Sequence, residues 1–371
     1  MSFDELSIPG RILLGPGPSN ISPEVIRALS QPLVGHLDPF FIQLMEEVQD
    51  MLRAVFMTHN HFTIPVSGTG SAGMETALVN ILEEKDPVIV CVNGVFGARM
   101  CDIVSRCGGK LKRIDAEWGK PIDPELIRKE LVHFPAKAVA LVHAETSTGV
   151  LQPLEEISRI VHESDALFVV DTVTSLGGAP VLVDEWQLDV CYSGTQKCLS
   201  CPPGLAPVTF GPRAVEMLKN RKTKVRSWYL DMAMLEKYWG PERIYHHTAP
   251  ISMIYAIREA LRLVLEEGLE QRWKRHRQLS NVLVDGLEAI GLTMLVERPY
   301  RTPMLNAVCV PEGVDEAAVR ARLLDHYDIE IGSGLGPLKG KIWRIGLMGE
   351  SCRSDYVDLI LSALKDILSP I

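Results

Sequence analysis

Strand-like runs recur through the first part of the chain, at residues 62–66, 88–92, 112–114, 138–142, 167–170, 190–192 and 206–210. Between them the apolar spacing lengthens to the helical period, with Met74, Ala77, Leu78, Ile81 and Leu82 on one stripe. Strands alternating with helices predict a mostly parallel sheet covered on both faces, because each parallel crossover has to pass over one face. The stripe reads as core, not as a binding surface.

The texture then changes. Two long helical patterns occupy 251–268 and 269–290, the second stopped by Gly291 as a residue just past a helix end. After them come a strand at 304–310, a helix at 316–327, strands at 329–331 and 341–347, and a last helix at 355–367. This is the pattern of a compact α+β unit. The expected organisation is an N-terminal arm over 1–20 that packs on the active site and the small domain, a large domain over 21–270, and a small C-terminal domain over 271–371. A chain of 371 residues, 46% hydrophobic, exceeds the size at which single cores stop growing.

Charge narrows the partners. A formal net charge of −9 without a basic run gives no electrostatic footing for nucleic acid or an anionic membrane. The eight cysteines lie mostly in apolar runs, which fits reduced thiols, and Cys198 and Cys201 form a lone pair with no second pair to complete a zinc site. No metal is expected. No apolar run approaches the roughly 20 residues that span a bilayer. The opening Met1-Ser2-Phe3-Asp4-Glu5 is acidic rather than rich in arginine, so a cytoplasmic enzyme is expected.

Ser67-Gly68-Thr69-Gly70-Ser71-Ala72-Gly73 follows a strand and opens a helix. It contains the G-x-G-x-x-G of dinucleotide sites, so a nicotinamide-dependent dehydrogenase is one reading. Bare amides at a helix N-terminus hold any phosphate, however. The hydroxyls of Thr69 and Ser71 favour a terminal phosphate, and the acidic ribose partner is missing, since the strand at 88–92 ends in Asn93-Gly94.

The strand at 167–170 delivers Asp171 at its carboxyl end, where open α/β sheets bind ligands, although an aspartate there can equally cap a helix. One strand further on, Lys197 stands in the uncharged stretch Ser193-Gly194-Thr195-Gln196-Lys197-Cys198. Desolvation lowers the pKa of such a lysine and frees its amine to condense with a carbonyl. Pyridoxal 5′-phosphate chemistry needs a lysine for the aldehyde, a carboxylate for the ring nitrogen and a phosphate cup. Lys197, Asp171 and the loop at Gly68 to Gly73 supply all three.

These segments, with Leu14-Gly15-Pro16-Gly17-Pro18-Ser19-Asn20, His143-Ala144-Glu145-Thr146-Ser147-Thr148-Gly149, Tyr245-His246-His247-Thr248 and Arg344-Ile345-Gly346-Leu347, stand in one family's order. Over nearly its full length the chain resembles the alanine–glyoxylate and serine–pyruvate aminotransferases, class V enzymes of PLP fold type I. The resemblance implies a homodimer that moves an amino group from alanine or serine to glyoxylate or pyruvate by a ping-pong mechanism. It implies that Lys197 carries the cofactor as a Schiff base and that Asp171 pairs with the ring nitrogen. Thr69, Gly70, Ser71 and Gln196 would line the phosphate, Phe96 would stack on the ring, and Val173 would lie beside it. Thr146 would approach ring and substrate, Arg344 would clamp the substrate carboxylate, and the backbone at Gly17 would close the pocket. Tyr245 and Thr248 would reach the phosphate from the neighbouring subunit.

Two departures matter. Phe96 stands where the family often has tryptophan, and Ser71 where the mammalian enzymes have histidine, which leaves the phosphate cup less cationic. The (S)-ureidoglycine–glyoxylate aminotransferases of purine breakdown are a close branch, matched by Val34-Gly35-His36-Leu37-Asp38-Pro39 and by Ala116-Glu117-Trp118-Gly119. That branch has glutamine at the position of His36 and asparagine at that of Tyr245, so alanine or serine is the expected donor.

Overall fold

The computed structural model describes residues 3–368; Met1, Ser2 and residues 369–371, at the outer ends of the expected arm and small domain, lie outside them. A seven-stranded sheet forms the centre of the large part. Its strands are β1 (Phe62–Ser67), β2 (Pro87–Val92), β3 (Lys110–Asp115), β4 (Ala138–Val142), β5 (Leu167–Asp171), β6 (Val190–Tyr192) and β7 (Leu205–Phe210). They lie in the order β1-β7-β6-β5-β4-β2-β3.

All neighbours are parallel except β7, which runs antiparallel to both β1 and β6. Strands β4 and β5 are buried along their whole length, as a sheet covered on both faces requires. The helical stripe of Met74, Ala77, Leu78, Ile81 and Leu82 enters this core on helix Gly70–Ile81 and the residue after it.

The helix Ile251–Glu267 stops at Gly268, whose φ of 82° takes the left-handed region, and helix Leu269–Ala289 sets off from there. Beyond this break the apolar side chains form a second core, which Leu14 of the arm joins. A four-stranded antiparallel sheet lies over it, ordered Thr293–Met294, Leu305–Cys309, Ile342–Gly346 and Gly332–Ser333. Its two-residue strands are too short to show a period in the sequence.

The run expected at 329–331 is a strand over Ile329–Glu330, but it leaves that sheet and pairs in parallel with Ile12–Leu13 of the arm. The Leu14 carbonyl then accepts from Gly346 N at 2.8 Å. A small apolar cluster of Ala144, Ala179 and Cys198 with Met304, Leu305 and Met348 joins the two cores. Among the described residues no helix is long and apolar enough to cross a membrane.

Candidate active site

The carboxyl ends of the parallel strands converge on a cavity of about 250 Å³. A larger cleft, of about 840 Å³, lies at the opposite ends of the same strands, beside Phe62, Asp189 and Phe210, and none of the expected site residues lines it. Ligands of open α/β sheets sit at the carboxyl ends, which makes the smaller space the candidate site.

One wall is the glycine-rich loop. Thr69 is the N-cap of helix Gly70–Ile81, yet its hydroxyl makes no cap hydrogen bond. That hydroxyl and the first helical N–H groups are left for a ligand, since a helix begins with unpaired donors. Thr69, Gly70 and Ser71 all line the cavity, and so does Gln196, whose Oε1 is buried without a partner.

Asp171 ends β5 directly across from Tyr192 on β6. Its Oδ1 accepts from Val173 N at 2.8 Å and its Oδ2 from the Tyr192 hydroxyl at 2.9 Å. No helix starts after it, which removes the capping role. Burial raises its pKa to about 7, against these two hydrogen bonds.

Lys197 sits on the loop between β6 and β7, held by the arm. Ser19 Oγ donates to the Lys197 carbonyl at 2.8 Å and Ser19 N to that of Gln196 at 2.9 Å, while Arg272 Nη2 donates to that of Cys198 at 2.6 Å. The ammonium donates to the Pro16 carbonyl. Burial first, and the nearby Arg344 second, lower the lysine's pKa to about 8. The desolvation expected from its uncharged sequence surroundings is therefore present.

Glu145 is fully buried on a short hairpin, where burial pushes its pKa up against four hydrogen bonds that pull it down. It accepts from Phe96 N at 3.1 Å and Gly97 N at 3.4 Å, at the start of helix Val95–Arg106. Ser147 N and Oγ donate to its other oxygen at 3.0 and 2.6 Å. A side chain on Gly94 would collide with this carboxylate, so only glycine fits there. The result fixes Phe96 on the cavity wall.

Thr146 and Val173 line the same space. Arg344 stands behind Thr146, giving Nε to the Ser333 carbonyl at 2.6 Å and Nη1 to the Thr146 carbonyl at 3.2 Å. Burial lowers its pKa to about 10, and among the described residues no carboxylate pairs with it. Gly17 packs against the Lys197 side chain.

Tyr245 and Thr248 are not brought into this cavity; they lie on the surface, Tyr245 tilted against His36 with ring centroids 5.3 Å apart. His143 bonds Ser175 and packs edge-on against Trp186, and His246 stacks on Trp228. Sequence reasoning had given no role to Tyr192, Glu145, Arg99 or Ser19. Arg99 lay within reach of it, three residues from Phe96 and so on the same helix face.

The aminotransferase class-V profile matches residues 12–347. The (S)-ureidoglycine–glyoxylate transaminase of Bacillus subtilis is 42% identical over 98% of this chain and 92% of that protein. The alanine–glyoxylate aminotransferase of Felis catus is 40% identical over 98% and 89%. A solved alanine–glyoxylate aminotransferase from Nostoc sp. superposes with a TM-score of 0.98 at 49% identity, covering 99% of this chain and 98% of that one. A glycine-rich loop alone serves many phosphate ligands; here it stands with a lysine and an aspartate in one cavity, in a chain whose likeness to aminotransferases runs over nearly its full length. The chain belongs to the class-V aminotransferases, PLP-dependent enzymes of fold type I.

Proposed function

We propose that this enzyme transfers the amino group of alanine or serine to glyoxylate or pyruvate, in two half-reactions that share one site. The observation that carries this reading is the buried Lys197, its pKa lowered to about 8, in one cavity with Asp171 and the glycine-rich loop. When bound, pyridoxal phosphate supplies an aldehyde that condenses with amines and a ring that takes up electrons from the substrate's α-carbon.

The chain's own groups do the rest. The free Thr69 hydroxyl, the Gly70 and Ser71 amides and the side-chain NH2 of Gln196 suit a phosphate. Asp171 holds a proton at the ring nitrogen, its ionised form favoured against burial by the Tyr192 hydroxyl and Val173 N. Phe96 and Val173 flank the ring. Lys197 takes the proton from the α-carbon and returns it one position away, a task for an amine whose pKa lies near neutrality. Arg344, a buried cation without a carboxylate partner, receives the substrate carboxylate beside Thr146. The arm at Gly17 keeps water out.

Tyr245 and Thr248 complete the phosphate cup of a second copy in a homodimer. In support, Leu33, Leu37 and Phe40 in one segment and Trp228, Ile244 and Tyr245 in another are large apolar side chains left exposed, and the two segments meet where Tyr245 packs against His36. The arm over 1–20, the cofactor-carrying domain over 21–270 and the small domain over 271–371 then meet around each site. A cytoplasmic location accords with the buried free thiols.

The likeness to the Bacillus subtilis enzyme supports ureidoglycine as a second candidate donor. Against it, His36 and Tyr245 offer imidazole and phenol where that branch has amides. The purified enzyme should absorb near ~400–430 nm, a band that nicotinamide enzymes lack. Borohydride reduction and peptide mapping should then label Lys197; a label on another lysine overturns the assignment.

A further inference from the structure

The phosphate end of the cavity has a charge problem. The groups placed there, Thr69, Gly70, Ser71 and Gln196, are neutral, and Lys197 is committed to the aldehyde. A phosphate monoester brings nearly two negative charges at neutral pH, while a helix N-terminus offers only about half a positive one. Desolvated charge without a partner is costly.

One cation is in position. Arg99 lies on helix Val95–Arg106, one turn after Phe96, and lines the same cavity. Its Nη1 donates to Ser71 Oγ at 3.1 Å, and its guanidinium carbon stands 5.0 Å from the centre of the Phe96 ring. The second distance is within cation–π range. Among the described residues no carboxylate pairs with Arg99, so its charge is uncommitted. The guanidinium is anchored by a hydroxyl at the cup's rim and by an aromatic face, with donors to spare.

We propose that Arg99 is the charge partner of the cofactor's phosphate, reaching it alongside Ser71, and that it clamps Phe96 in the same act. The proposal rests on the pyridoxal phosphate reading above. Phosphate capture and ring stacking are thereby coupled through one side chain, since Glu145 fixes the start of that helix and Arg99 its next turn.

The test titrates the apoenzyme with pyridoxal phosphate and, separately, with pyridoxal, which lacks the phosphate. Arg99→Gln should weaken pyridoxal phosphate roughly tenfold or more, the scale of a charge-assisted bond partly screened by solvent. Pyridoxal affinity should stay within about twofold, and Arg99→Lys should recover most of the loss. The loss should shrink as salt is raised. The phosphorus-31 signal of the bound cofactor should also shift with pH in Arg99→Gln across a range where the wild type is flat. Equal weakening of both ligands would mean that Arg99 acts only by packing on Phe96, and unchanged affinity for pyridoxal phosphate would mean that it does not meet the phosphate; both overturn the proposal. A wild type that takes up no cofactor overturns the functional reading itself, a result distinguishable from either.

Discussion

Gly17 and Lys197 are in such close approach that a Cβ on Gly17 would stand 2.6 Å from the lysine Cδ and 2.7 Å from its Nζ. Residues 180 positions apart in the chain thus share one van der Waals surface, with Gly17 at a φ of 100°. Gly17→Ala should lower stability by about 1–2 kcal/mol from backbone strain alone and also displace the lysine. Gly291→Ala separates the two effects, since Gly291 has a φ of 88° but nothing within 4 Å. Thermal unfolding should report a loss in both variants, and only Gly17→Ala should lose the ~400–430 nm band. Retention of that band in Gly17→Ala would show that the arm does not position Lys197.

Tyr192 is expected to act through Asp171. Its hydroxyl lowers the carboxyl pKa against burial, so Tyr192→Phe should raise that pKa further above about 7. At neutral pH less of the carboxylate is then ionised, and the half-reaction with alanine should slow by the equivalent of about 1.5–3 kcal/mol. Cofactor uptake by the apoenzyme should rise with pH, with its midpoint displaced upward in the variant. Asp171→Asn should remove that pH dependence and most of the half-reaction. A slower variant with an unmoved profile would reduce Tyr192 to packing.

Lys197 should cost the apoenzyme stability. Its folded-state pKa is depressed from 10.5 to about 8, so burying its charge opposes folding. The penalty is full below about 8 and fades as pH rises from there to 10.5, because the unfolded lysine then also loses its proton. Lys197→Met should therefore stabilise the apoenzyme by roughly 1–3 kcal/mol at pH 7 while abolishing transamination. Denaturant unfolding of both forms at pH 7 and at the alkaline end measures the difference. A gain that does not shrink with rising pH would assign the effect to packing.

Donor choice is expected to turn on His36 and Tyr245, whose rings are neighbours. A pocket without amides for a ureido group discriminates weakly among small side chains, so alanine and serine should both react. Their kcat/KM values with glyoxylate should differ by no more than roughly 10–200-fold. His36→Gln with Tyr245→Asn should shift activity toward ureidoglycine, at some loss of cofactor affinity. Faster turnover of ureidoglycine than of alanine or serine by the unaltered enzyme would replace the donor proposed above.

Local features were legible in the sequence because they depend on neighbours along the chain. Strands buried on both faces are continuous apolar runs, so β2, β4, β5, β6 and β7 were located to within a residue or two, and Gly291 was found as the residue past the end of helix Leu269–Ala289. The loop at Thr69, Asp171 at a strand end and Lys197 in an uncharged stretch carry their chemistry in residue type and position. Which strands become neighbours is another matter, since the order β1-β7-β6-β5-β4-β2-β3 arises from crossovers that no local period encodes. That order alone puts Tyr192 opposite Asp171, and helix packing alone puts Arg99 on Ser71. The arm shows the same division: its glycine and prolines mark an irregular segment, but only the pairing of Ile12–Leu13 with Ile329–Glu330 directs Gly17 onto Lys197. Such contacts form between segments far apart in the chain, so their partners are selected by the packing of whole elements and not by the residues beside them.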